Sequence, residues 1–186
     1  KEVIHQLVVN RMAASFRYAG FKPKWLYKVI LNSRAYQREI ATLDNDADLF
    51  TAVRPARLRP YEVADNIDQI VGENPNIRRE VNSAFDQNPS IPQRDLEGSV
   101  QQALLMMNDE TLNKRLSSSQ LKKSLMGIKN DDQMIKEAHL GILSRSPTEV
   151  ELVRYRQFIK ESKNRNEAVD DLLWILINTA EFVTKR

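Results

Sequence analysis

Two groups of side chains have types and spacings suited to chemistry. The first is Arg54, Arg57 and Arg59 within Arg54-Pro55-Ala56-Arg57-Leu58-Arg59-Pro60. A guanidinium presents a rigid fork of N–H donors that matches the two oxygens of a carboxylate or sulfate, and the two prolines stiffen the segment carrying it. The second is Asp86, Gln87, Asn88 and Ser90, followed by Gln101, Gln102 and Asn108. Amides and carboxylates of this kind suit hydroxyl-rich ligands such as sugars. Both groups also have a structural reading, in which the arginines pair with Asp86 or with the acidic stretch Asp44-Asn45-Asp46-Ala47-Asp48 and the amides satisfy loop backbone. A further alternative pairs Asp86 with an acid such as Glu62, since a glycosidase needs two carboxyl groups about 5 to 10 Å apart across a cleft.

Other chemistries have little raw material. The two histidines, His5 and His139, are far apart and form no metal-binding spacing, so they read as surface or structural residues. Cysteine is absent, which removes thiolate metal sites, disulfides, a cysteine nucleophile and covalently attached c-type haem. With 5 glycines, none in a Walker, G-x-S-x-G or G-x-G-x-x-G pattern, phosphate-cradling loops are not supported. The stretch Asp44 to Asp48 lacks the glycine and distal glutamate of a calcium loop. No metal site and no cofactor are therefore expected in this segment.

The elements that must position these groups are helices. Apolar residues recur at spacings of three and four, and strand-like alternation is hard to find, so the reading is an all-α fold, a single compact multi-helix domain over residues 1–186. The first helix runs from about Glu2 to Ala19 with Ile4, Val8, Met12 and Phe16 in line, and Gly20 at its exit. Pro23 opens a second, with Trp25, Leu26, Val29, Ile30, Ser33, Tyr36 and Ile40 on one face and Lys24, Lys28, Arg34 and Arg38 opposite. Pro60 opens a third, closed by Gly72. From Glu73 to Gly98 the chain is rich in Asn and Pro and reads as a long ordered loop anchored by Phe85. Ser99 caps the next helix, whose apolar side is Val100, Ala103, Leu104 and Met107. Shorter helices follow near Leu112 to Leu116 and Leu121 to Ile128, then one capped by Asn130 or Asp131. Ser146-Pro147-Thr148-Glu149 places a cap, a first-turn proline and a capping-box acid in register. The last helix starts at Asn164 or Asn166 and is apolar around too much of its circumference for a surface position, so it is expected at the centre, with Leu173, Trp174, Leu176 and Ile177 buried.

The bulk numbers are those of an ordinary globular domain. Of 186 residues 41% are hydrophobic and 28% charged, and the longest apolar run, Leu172 to Ile177, is far short of the ~18 residues a membrane span needs. The net charge of +3 hides an asymmetry: residues 1–60 hold 11 Lys and Arg against 5 Asp and Glu. A basic patch attracts anionic polymers, although polar outer helix faces produce the same composition. Nucleic acid is not expected as a partner, because the basic face of the second helix carries only Tyr27 as an aromatic and fits no known binding module.

Seven strings in order along the chain carry a resemblance: Val9-Asn10-Arg11-Met12, Ser33-Arg34-Ala35-Tyr36, Arg57-Leu58-Arg59-Pro60, Phe85-Asp86-Gln87-Asn88-Pro89, Gln102-Ala103-Leu104-Leu105-Met106-Met107-Asn108, Leu143-Ser144-Arg145-Ser146-Pro147-Thr148 and Leu172 through Phe182. The pattern resembles the domain of unknown function numbered 1553, abundant in planctomycetes and related bacteria. The resemblance implies the C-terminal domain of a large exported, extracytoplasmic protein, often with a cytochrome-c-like module upstream. It assigns no residue roles, but both polar groups coincide with its strings. The binding candidates are thus Arg54, Arg57, Arg59, Asp86, Asn88, Gln102 and Asn108. The expected partners are upstream domains of the same polypeptide or an anionic or hydroxyl-rich polysaccharide. The expected role is a non-catalytic accessory or interaction domain, with part of a polysaccharide-degrading enzyme or an anionic-polysaccharide-binding domain as the alternative.

Overall fold

The computed structural model describes residues 5–37, 56–88, 90–91 and 97–185. The fold is all-α. Its elements run α1 (Gln6–Tyr18), α2 (Pro23–Leu31), β1 (Ala56–Arg57), α3 (Pro60–Val71), α4 (Pro75–Ala84), α5 (Val100–Asn108), α6 (Glu110–Ser117), α7 (Gln120–Met126), α8 (Asp131–Leu143), α9 (Glu149–Glu161), α10 (Arg165–Ile177), a 3₁₀ turn (Ala180–Val183) and β2 (Thr184–Lys185). By its contacts the chain forms two compact units, residues 1–55 with Arg186, and Ala56–Lys185.

In the first unit α1 leaves through Gly20 and Phe21, both in the left-handed region at φ +71° and +55°. Three aromatic rings fix this corner: Phe16 meets Phe21 edge-on at 5.6 Å and stacks on Trp25 at 6.4 Å. Pro23 opens α2 as expected, but the helix stops at Leu31 instead of continuing through Tyr36. Asn32 and Ser33 stop it by bonding locally, Asn32 Nδ2 to the Lys28 carbonyl at 2.7 Å and Ser33 Oγ from the Tyr36 amide at 3.2 Å. Ile40 and Arg38 lie outside the described residues.

The second unit is built around α10. Ala168, Val169, Leu172, Leu173, Leu176 and Ile177 are buried around the helix, which packs on α6, α7, α8 and α9. Burying each of the larger aliphatic side chains stabilises the fold by about 1.5 to 3 kcal/mol. Trp174 departs from the expectation. It is only half-buried, because its indole N–H reaches out to the Met107 carbonyl at 3.3 Å. An amphipathic ring with one polar edge sits well at such a boundary.

Three further expectations are corrected. The stretch from Glu73 to Gly98 is not irregular throughout, because Asn74 caps α4 through the amides of Asn76 and Ile77 and Pro75 takes its first turn. Ile77, Val81 and, just past the end, Phe85 form its buried face at spacings of four. The apolar side expected for α5 points outward: Val100, Leu104 and Met107 are 75, 53 and 44% exposed, while Gln102 and Met106 face in. Finally, α9 begins two residues later than the Ser-Pro-Thr-Glu register suggests. Thr148 is its cap, with Glu151 closing the box at 2.7 Å onto the Thr148 amide.

Candidate functional site

Arg57 is placed by backbone pairing. It lies on β1 opposite Thr184 of β2, and the Leu58 amide donates to the Val183 carbonyl at 2.9 Å. Its guanidinium Nη1 donates to Gln102 Oε1 at 3.2 Å. That oxygen also accepts from the Ser99 amide at 3.2 Å, while Ser99 Oγ accepts from the Gln102 amide at 3.2 Å. A reciprocal cap of this kind fixes the N-terminus of α5 and leaves the Gln102 NH₂ group as a donor. Gly98 makes room for the guanidinium, since a Cβ there would stand 2.7 Å from Arg57 Cζ.

Arg57 and Gln102 form one wall of a cleft of about 220 Å³. Phe85, Met106, Ile177 and Val183 supply apolar surface, and Asn178 and Thr179 complete the rim. Four of the seven strings quoted above therefore meet here. Asn178 and Thr179 were not legible as site residues, although their place directly after an apolar helix end is where polar side chains collect at a helix mouth. Both are partly committed: Asn178 Nδ2 donates to the Trp174 carbonyl and Thr179 Oγ1 to that of Leu176, each at 2.8 Å.

The other candidates scatter. Arg59 caps α3 with its backbone, its amide donating to Glu62 Oε2 at 2.7 Å. Glu62 also receives Lys185 Nζ at 3.1 Å. Asp86 is exposed and forms no ion pair with Arg57 or Arg59, so the expected arginine–aspartate clamp is absent among the described residues. Asn88 is spent on its own turn, with its side chain accepting from the Ser90 amide at 2.9 Å. Arg54 lies outside the described residues. Neither Asp86 nor Glu62 lines the cleft.

Asn108 lines a second, more open groove of about 500 Å³, together with Glu80, Ser83, Gln101, Leu104, Leu105 and Asp109. Glu80 and Asp109 share a hydrogen bond there. That bond, with the repulsion of the neighbouring charge, holds the Glu80 carboxyl above its ordinary range. Asp109 also caps α6 through the Leu112 amide at 2.6 Å.

A third polar cluster is closed. Arg145 directs five hydrogen bonds to Glu151, Glu181 and the Ser146 carbonyl, at 2.6 to 3.0 Å. Through the Arg145 bonds first, and then the Thr148 cap, Glu151 is lowered to a pKa of about 2. Nearby His139 is fully buried against Tyr155 at 5.3 Å, and its Nδ1 bonds the Ile135 carbonyl at 2.9 Å. Burial holds it below the usual histidine range, and therefore neutral.

Among the described residues no group of three His, Cys, Asp or Glu side chains is placed to hold a metal ion, and no helix is long and apolar enough to cross a membrane. Set against family models, curated proteins and solved structures, the chain matches none of them.

Proposed function

We propose that the chain is a non-catalytic interaction domain of a larger exported bacterial protein, docking a neighbouring domain of the same polypeptide. The observation that supports this reading is the outward row Val100, Leu104 and Met107 on α5, at spacings of four and three. Scattered surface apolar residues are ordinary, but a row along one helix face beside an open groove is the pattern of a docking surface. The ionisable groups fit the same reading, since Arg145, Glu151, Lys122, Asp170, Arg156 and Asp132 are all engaged in structural ion pairs.

The groove around Asn108 favours a second reading, binding of a hydroxyl-rich polysaccharide. Its amides, serine and two acids are suitable partners for sugar hydroxyls. Hydrolysis is a poorer fit, because neither Asp86 nor Glu62, the carboxyl pair the sequence offers for it, lines this groove or the cleft.

The test compares this chain and its full-length parent for binding to neutral, uronic and sulfated polysaccharides, and measures association of the chain with the remainder of the parent. Under the docking reading the two parts associate, Leu104→Asp weakens that association at least tenfold, and any polymer binding needs the full-length protein. Polymer binding by the chain alone, lost in Glu80→Gln, supports the second reading instead. Association unaffected by Leu104→Asp refutes the first.

A further inference from the structure

The cleft between β1 and the start of α5 is lined by Gln102 and Met106 and not by Val100, Leu104 or Met107, and its chemistry is different from that of the docking row. We propose that it is a binding site for a small carboxylate carried on an apolar body, with the Arg57 guanidinium as the anion-binding group and Gln102 as its partner.

The cation is prepared for an anion. Arg57 is half-buried, donates one hydrogen bond to Gln102, and has no acidic partner among the described residues. Burying part of a guanidinium without a counter-ion costs free energy that an incoming carboxylate recovers, which is why such a group discriminates strongly for anions. Its position is tightly specified. The β1–β2 pairing fixes its backbone, Gly98 yields the space under the fork, and Gln102, only 6% exposed, holds one nitrogen. Gln102 lines the cleft, and with its Oε1 taken by Arg57 and the Ser99 amide its NH₂ group is the part left to donate to the other carboxylate oxygen.

The rest of the cleft selects the body of the ligand. Phe85, Ala103, Met106, Ile177 and Val183 give it apolar walls, and the hydroxyl and amide of Thr179 and Asn178 already donate to backbone carbonyls. A sugar acid would leave several hydroxyls facing hydrocarbon, at a cost for each unpaired group. A branched aliphatic or aromatic acid would not. A volume of about 220 Å³ corresponds to roughly seven waters of liquid volume, so the fitting ligand has roughly seven to ten non-hydrogen atoms. That is the size of a short branched-chain acid, or of one apolar residue bearing a free carboxylate.

The experiment is a titration of the isotope-labelled 186-residue chain, read by amide chemical shifts, with 4-methylpentanoate, its uncharged amide 4-methylpentanamide, and glucuronate. The carboxylate is expected to saturate with a dissociation constant of roughly 0.1 to 3 mM, as befits so small a ligand, shifting the amides of Gly98, Ser99 and Asn178. The amide and glucuronate are expected to bind at least tenfold more weakly. Arg57→Gln should abolish the carboxylate preference with the amide spectrum otherwise preserved, and Arg57→Lys should retain a reduced part of it. The proposal falls if the amide binds as well as the acid, if glucuronate binds better, or if no saturable shift of those amides occurs. It also falls if Arg57→Gln binds 4-methylpentanoate as the unaltered chain does. The acid-against-amide comparison needs no variant, so a folding defect in Arg57→Gln leaves the test intact. Since the measurement reads neither the α5 row nor polymer binding, its outcome is separable from that of the docking reading.

Discussion

Arg145 and Arg57 are both partly buried arginines of the second unit, yet their surroundings differ in sign. Arg145 spends all five of its donors, four on the carboxylates of Glu151 and Glu181. It ties the α8–α9 corner to the 3₁₀ turn and has nothing left for a ligand. Arg57 spends one donor, on a neutral amide, and opens onto a cleft. The same side chain is thus a closed structural rivet in one place and an unmet anion receptor in the other. Counting charged residues does not distinguish the two. Counting their remaining donors does.

The largest expected effect is at the closed site. Arg145→Met removes the cation between two carboxylates whose side chains are 29 and 16% exposed. Removing the cation of a largely buried ion pair leaves the Glu151 carboxylate without the charge it is paired with, at a cost of about 3 to 5 kcal/mol. Urea unfolding gives the figure directly, and a loss below about 1 kcal/mol would mean the rivet carries no load.

Acid sharpens the same contrast. Glu151 titrates near 4.5 when unfolded and at about 2 when folded, so the unfolded state takes up the proton first. Its contribution is complete above about pH 4.5 and is lost as pH falls toward 2. At 1.36 kcal/mol per unit, and allowing for partial exposure, this amounts to about 2 to 3 kcal/mol. His139, held below its ordinary value by burial, acts in the same direction from about pH 6.5 downward, because the unfolded imidazole charges first. In Arg145→Met the Glu151 contribution should change sign: with the cation gone, protonating one of two facing carboxylates relieves repulsion, so stability between pH 5 and 3 should fall less steeply or rise. Parallel acid profiles for the two proteins would contradict the assignment of Glu151.

What the sequence made legible divides along the same line. Caps and apolar periodicity act within one turn or face of a helix, so the all-α fold, the central α10 and the Asn130 and Ser99 caps were readable. Pairing across the chain was not. The Arg145 rivet joins residues 36 apart in sequence, and nothing local at Glu181 announces it. Over Pro75–Ala84 the Asn and Pro content suggests irregular chain, yet a helix forms there. Asn74-Pro75 is instead a cap followed by a first-turn proline, and Ile77, Val81 and Phe85 supply the face. The outward row on α5 has the opposite cause. Val100, Leu104 and Met107 share a helix face that reads as core by period, but Gln102 is held inward by Arg57 and Ser99, which turns that face to the surface.

At the open site the expected effects on stability are small. Arg57→Gln gives up one hydrogen bond to a neutral partner, worth about 1 kcal/mol, and relieves part of the cost of a half-buried cation. Its unfolding free energy should therefore lie within about 1 kcal/mol of the original, with no change in the acid profile between pH 5 and 2. A loss approaching that of Arg145→Met would show that Arg57 too is a rivet, and would remove the contrast.

The smallest effect belongs to Gly98→Ala, and it isolates geometry from charge. The glycine does not occupy the left-handed region, so alanine is compatible with the backbone, and fewer unfolded conformations favour the variant by about 0.4 to 1 kcal/mol. Against that, the new methyl group stands where the guanidinium lies, so Arg57 must swing out and forfeit its bond to Gln102, at about 1 kcal/mol. The two nearly cancel, and the melting temperature is expected to move by no more than about 2 °C. The position of Arg57 nevertheless changes completely, so the side-chain Nε–Hε resonance of Arg57 should shift toward that of a solvent-exposed arginine while the amides of α8, α9 and α10 stay in place. An unshifted resonance would mean the fork does not rest on Gly98, and a large loss of stability would mean the close approach at this glycine matters to the fold itself and not to the placement of one cation.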